Sequence, residues 1–293
     1  MNARWLVPVV LWVSACVKAP GSSAAARPGV VIIAAGDVSA PELTGQVLTA
    51  ALVESQHPEA VLVLGDAQYG EGTPEQFAQA YAPTWGRFKD LTRPVPGNHE
   101  YKSGAVGYFG YFGARAGEPG KGYYSFDLGA WHLVALNTSD GCRTVRCDAD
   151  SEQLAWLEAD LASTVKKCVL AYWHHPRFSS GRHGSFAGAA PLWKVLTRHH
   201  VELALNGHEH LYERLGPVDE SGALADGGLV QLTIGTGGIG FTEFGATPVA
   251  ASLVRQNDTL GVMRLKLGDD GWEADFLGVP GSTFTDHASG ACR

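Results

Sequence analysis

The sequence carries no basic excess: across 293 residues, 22 Lys and Arg stand against 30 Asp and Glu, a formal net charge of −8. A protein that grips a nucleic-acid backbone usually presents a basic face, so nucleic-acid binding is not expected. Cysteine is sparse, five residues in all, and none forms a Cys-x-x-Cys pair. That excludes a dithiol oxidoreductase and a thiolate metal knuckle. There is no internal repeat, and the low-complexity sequence is confined to Lys18–Pro28. With 45% hydrophobic and 18% charged residues, the chain can bury a full core, and wholesale disorder is excluded.

The N-terminal apolar run, Trp5 to Val13, follows Arg4 and is too short to span a bilayer as a helix. It reads as a signal peptide over residues 1–15. Val13-Ser14-Ala15-Cys16 resembles the lipobox of bacterial lipoproteins, in which the cysteine is acylated and becomes the mature N-terminus. Residues 16–27 would then form a flexible lipidated tether, membrane-bound through Cys16, ahead of one folded domain over 28–293. Val17 rather than Asp after the cysteine favours the outer membrane, facing the periplasm or the cell surface. The alternative is an ordinary signal peptide cleaved nearby. Export also suits the remaining cysteines, an even set of four. Of three possible pairings, Cys142–Cys147 across a short polar loop is favoured, with Cys168 tying down Cys292.

Short β-branched runs alternate with amphipathic stretches in the first half. Val30–Ala35, Ala60–Leu64, Val169–Trp173 and Val201–Leu205 read as strands. Tyr123–Leu128 and Trp131–Leu136 read as a hairpin. Residues 46–55, 74–91, 151–161 and 191–198 read as helices, the second opening at Thr73-Pro74. Leu229–Ile234, Gly261–Leu267 and Trp272–Leu277 follow as strands without helices between them. This order implies a mixed α/β sandwich.

The residues suited to metal binding fall at strand ends. Gly36-Asp37, Gly65-Asp66-Ala67-Gln68-Tyr69, Gly97-Asn98-His99-Glu100, His174-His175-Pro176 and Gly207-His208-Glu209-His210 each close an extended run. In open α/β sheets that edge is where ligands bind. Each block alone has a bland reading as a polar turn. Their common placement does not. His57, His132, His199, His200 and His287 read as surface or core histidines. Tyr108, Phe109, Tyr111 and Phe112 read as core packing before substrate stacking.

These blocks resemble those of the calcineurin-like metallophosphoesterase superfamily, in its purple acid phosphatase branch, from Val30 to the string Gly-His-Glu-His-Leu-Tyr-Glu-Arg ending at Arg214. Ser39 stands where most of the superfamily has a histidine, and Tyr69 is what the purple branch uses instead. The resemblance implies a metallophosphatase fold, a four-layer α/β sandwich with two central mixed β-sheets. It also implies that Asp37, Tyr69 and His210 hold one ion, Asn98, His174 and His208 a second, and that Asp66 bridges them. Phenolate and carboxylate suit Fe(III), and imidazole with a neutral amide suits divalent Zn, Mn or Fe. Two such ions lower the pKa of a bound water and neutralise phosphate oxygens, so the expected reaction is hydrolysis of phosphate monoesters by in-line attack. His174 is chosen over His175 by the family pattern alone. His99 and His183 are the candidates for touching the phosphate or protonating the leaving group. A phosphodiesterase or nucleotidase on the same centre, and a lipoprotein that only binds phosphate or metal, are the alternatives. The sequence leaves the oligomeric state open.

Overall fold

The computed structural model describes Met1 and residues 29–293, so nearly all of the stretch read as a signal peptide, Cys16 and the stretch read as a tether lie outside the described residues. Two mixed sheets face each other. The first contains β1 (Val30–Ala35), β2 (Ala60–Leu64), β3 (Thr92–Val95), β11 (Gly261–Leu267), β12 (Gly271–Gly278) and β13 (Asp286–Ala291), in the order β13-β12-β11-β1-β2-β3. The second contains β4 (Tyr124–Leu128), β5 (Trp131–Ala135), β6 (Cys168–Tyr172), β7 (Leu203–Asn206), β8 (Tyr212–Leu215), β9 (Val230–Ile234) and β10 (Ser252–Gln256), in the order β10-β8-β9-β7-β6-β5-β4. Each sheet contains a parallel run: β1-β2-β3 forms one end of the first, with antiparallel strands beyond β1, and β5-β6-β7-β9 forms the middle of the second, with antiparallel strands on both sides.

The central strands are buried on both faces, which their near-continuous apolar sequences require. One core joins Ile32 and Ala34 of β1, Leu133 of β5, Leu170 of β6 and Ile234 of β9, together with Ala50 and Val53 of the helix Gly45–Gln56. A second core packs Val134, Ala171 and Ala204 against Leu157 and Leu161 of the helix Glu152–Ser163 and Leu192 and Leu196 of the helix Ala190–Arg198. Helices on the outer faces of the two sheets complete the four-layer sandwich. Among the described residues no helix is long and apolar enough to cross a membrane.

The helix expected over 74–91 is broken. Thr73 caps its start with a reciprocal capping box through Gln76, but the chain passes into a π-turn over Phe77–Tyr81 and then a 3₁₀ turn over Trp85–Phe88. Pro83 lacks the N–H an α-helix needs, and the last bond before it, Ala82 N to Phe77 O at 2.8 Å, is already five residues long. The aromatic residues 108–112 pack here as expected, with Tyr108 and Phe112 buried in the cluster that includes Phe77 and Tyr81. Four strands were not delimited from the sequence: β8, β10, β13 and β3, the last read only as an extended run before Gly97. Both disulfides form, Cys142–Cys147 and Cys168–Cys292, as paired above.

Candidate metal centre

Five loops meet at the carboxyl edge of the parallel strands. Asp37 follows β1, Asp66 and Tyr69 follow β2, Asn98 follows β3, His174 follows β6, and His208 and His210 follow β7. Three of these residues sit in the left-handed region rarely occupied by side-chain-bearing residues: Asp37 at φ 60°, Asp66 at φ 49° and His208 at φ 71°. Such backbone persists only where surrounding structure imposes it, and it clusters at functional sites. Gly65, itself at φ 86°, lets the second loop pass beneath His174, because a Cβ there would fall 2.4 Å from the imidazole Nδ1.

The side chains form two groups. In the first, Tyr69 Oη donates to Asp37 Oδ1 at 2.6 Å and lies 2.7 Å from His210 Nε2. In the second, Asn98 Oδ1 lies 3.1 Å from both His174 Nε2 and His208 Nδ1. Asp66 joins them: its Oδ2 is 3.3 Å from His174 Nε2, and the ligand atoms of Asp37, Asp66 and His174 all lie within 4.8 Å of one another. All seven residues named from the sequence are therefore together.

Each carboxylate is held by a backbone N–H from another loop. His208 N donates to Asp37 Oδ2 at 2.8 Å, and His99 N donates to Asp66 Oδ1 at 2.8 Å, which leaves the opposite oxygens facing inward. His174 Nδ1 donates to Leu64 O at 2.8 Å, so Nε2 faces the centre, the arrangement that orients ligand histidines. His175, the neighbour the sequence could not separate from it, is also close: the imidazoles of His174, His175 and His208 have nitrogens within 4.8 Å. Its Nδ1, however, pairs with Thr138 Oγ1 at 3.2 Å, and its ring packs on His208 at 4.3 Å.

The electrostatics are those of crowded acceptors. Burial raises the Tyr69 phenol well above its ordinary value, and Asp37 and Asp66 push it further. Burial works to raise the Asp66 carboxyl too, but the His174 imidazolium beside it holds it well below the carboxylate range. His174 is the counterpart: burial would lower it, yet Asp66 lifts it to about 9. Burial and the His174 charge bring His175 down to about 3 and His208 lower still. Asn98 Oδ1 and Asp66 Oδ2 both turn toward His174 Nε2, and such a set needs a proton on that nitrogen or a cation in its place. The donor chemistry fits metal ions, hard oxygen ligands in one group and imidazole with amide in the other.

His99 and His183 lie at the rim. The His99 ring packs 4.0 Å from Tyr69, and its Nδ1 bonds Gly70 O at 2.9 Å. The His183 ring lies 4.8 Å from that of His208. Three further residues hold the site together. Ser39, in the position where a histidine was expected from the superfamily, is buried, and its hydroxyl lies 2.7 Å from Ala67 O and 2.9 Å from Gln68 Oε1, tying the first two loops. Glu100 is buried and accepts three N–H groups, from Asp66, Gln68 and Gly97. Its place in the Asn-His-Glu block was the only signal in the sequence. Glu209, between the two histidines of its turn, is fully buried as well.

Two mixed sheets with these loops at their shared edge make the metallophosphatase fold. The family model described as calcineurin-like phosphoesterase matches residues 30–212, and the chain belongs to that family. It is 30% identical over 258 residues to purple acid phosphatase 15 of Arabidopsis thaliana, covering 75% of this chain and 47% of that protein. It is 29% identical over 199 residues to acid phosphatase type 7 of Mus musculus, covering 55% of this chain and 41% of that one. Its fold is similar to purple acid phosphatase PPD1 from yellow lupin seeds, at a TM-score of 0.72 and 19% identity, covering 89% of this chain and 53% of that chain. It is also similar to GAP50, the anchor in the inner membrane complex of Plasmodium, at a TM-score of 0.66 and 13% identity, covering 89% and 88%. The chain spans about half the length of the plant relatives it matches.

Proposed function

We propose that this chain is a two-metal phosphoesterase that hydrolyses phosphate monoesters. The observation that carries the reading is the convergence of seven ligand side chains in two groups, with the Asp66 carboxylate between them. Asp37, Tyr69 and His210 would hold one ion, preferably Fe(III), and Asn98, His174 and His208 a divalent Zn, Mn or Fe, with Asp66 shared. When bound, such a pair supplies Lewis acidity and a nucleophile near neutral pH. The chain's own residues set the geometry. Asp37 and Asp66 keep one oxygen fixed by backbone N–H groups and offer the other inward. His99, beside Tyr69, and His183, beside His208, would offer an imidazole to a phosphoryl oxygen or to the leaving oxygen.

A substrate panel tests the reading. Turnover of a monoester well above that of a bis-ester is expected, and comparable rates would replace the monoesterase by a diesterase or nucleotidase. Asn98→Ala and His208→Ala should abolish turnover, and unchanged activity in both would refute the centre.

We further propose export, with a lipid on Cys16 anchoring the domain to the outer membrane. Two disulfides suit an oxidising compartment. Mass spectrometry of the mature N-terminus decides it: an acylated Cys16 is expected, and an unmodified N-terminus elsewhere would refute the anchor.

A further inference from the structure

Glu209 has no part in the centre as described, yet its carboxylate is completely buried at the edge of it. It lies between His208 and His210, and its contacts reach into two other loops. Oε1 accepts the Gly184 N–H at 2.9 Å. Oε2 lies 3.2 Å from His183 Nδ1 and accepts from Thr242 Oγ1 at 3.4 Å. The same loops are joined by main-chain bonds, Thr242 N to His210 O at 3.1 Å and Gly245 N to Ser180 O at 2.8 Å. The space is fitted to the carboxylate: a Cβ on Gly181 would fall 2.3 Å from its carbon.

We propose that Glu209 is a positioning residue, fastening the 179–184 loop to the His208–His210 turn and fixing the His183 imidazole with Nδ1 turned inward and Nε2 free beside His208. Besides its approach to the His208 ring at 4.8 Å, the His183 side chain is 45% exposed, and among the described residues its other nitrogen has no hydrogen-bond partner. A carboxylate accepting from Nδ1–H selects the tautomer that leaves Nε2 free and fixes the ring orientation. Glu209 would therefore act on substrate through His183 and not by touching it. The inference rests on the phosphoesterase reading for its kinetic arm only.

The test uses the full chain with p-nitrophenyl phosphate as probe and compares Glu209→Gln, Glu209→Ala, His183→Ala and the double variant Glu209→Gln/His183→Ala. Glu209→Gln keeps shape but presents an amide, which disturbs the tautomer. It should keep full metal content and lower kcat about 10- to 100-fold. The double variant should lose little beyond His183→Ala, as expected for residues acting as one unit. Glu209→Ala should speed amide exchange at Gly184. Wild-type kcat in Glu209→Gln, a loss that multiplies with that of His183→Ala, or loss of metal from Glu209→Gln would overturn the proposal. Should the wild-type chain hydrolyse no phosphate ester, the function fails, while unchanged Gly184 exchange in Glu209→Ala refutes the fastening of the loop independently.

Discussion

Glu100 Oε2 accepts the Asp66 backbone N–H at 3.1 Å across 34 residues of sequence, so the acid closing the Asn-His-Glu block holds the loop that carries the shared carboxylate. The same side chain accepts Gly97 N at 2.7 Å and Gln68 N at 3.0 Å. Burial, and then the charge of Asp66, push its own carboxyl up to about 8. Glu100→Ala leaves three buried N–H groups without partners and should cost about 3 kcal/mol, at the upper end for a single substitution. Glu100→Gln, whose amide oxygen can still accept, should cost less. Denaturant midpoints of the two variants check this, and equal stabilities would contradict it.

Tyr69 yields a spectroscopic prediction. Without a cation, burial, Asp37 and Asp66 keep the phenol protonated. A bound Fe(III) reverses that balance, because the ion's charge dominates the local field. The purified protein should therefore show a visible phenolate-to-iron absorption, and Tyr69→Phe should abolish it. Colour that persists in Tyr69→Phe would exclude this ligand.

His132 gives the pH dependence. It bridges Asp127 at 2.8 Å and Asp160 at 2.8 Å, pinning the helix Glu152–Ser163 to the β4–β5 hairpin. Burial opposes its charge, but the two aspartates raise its pKa above the ordinary histidine value. A raised folded-state pKa means that the stabilisation is complete below the unfolded value, about 6.5, and fades as pH rises through the folded one. His132→Gln should therefore be destabilising near pH 6 and approach wild-type stability in alkali. A stability difference independent of pH would contradict this.

The two disulfides should contribute unequally. Cys168–Cys292 closes a loop with a sequence separation of 124, and Cys142–Cys147 one of 5. Chain entropy assigns them about 4–5 and about 2 kcal/mol respectively. Thermal unfolding of Cys292→Ser against Cys147→Ser should show the larger loss in the first, and the reverse order would refute the entropic account.

How much of this was legible depended on the kind of signal. Asp37, Asp66, His174 and His208 could be placed because each follows a short, largely buried apolar run, a pattern with few alternatives, and Asn98 because its Gly-Asn-His block follows an extended Pro-containing stretch. The strands β10 and β13 escaped because they are sheet edges: SLVRQ and DHASGA alternate between half-buried and exposed and lack a β-branched core. β8 was hidden inside the motif string through Arg214. The break at Pro83 was overridden by the apolar periodicity around it. The structural roles of Glu100 and Glu209 could not be read for a different reason. Their roles are contacts across 34 and 25–33 residues, and spacing along the chain does not encode them.

Elemental analysis of active protein, with Asn98→Ala and His208→Ala as controls, tests the central claim most directly. Roughly two metal ions per chain, iron among them, are expected in the wild type. Substoichiometric metal is expected in both variants. Full turnover by protein stripped of metal, or unaltered metal content in both variants, would contradict the account.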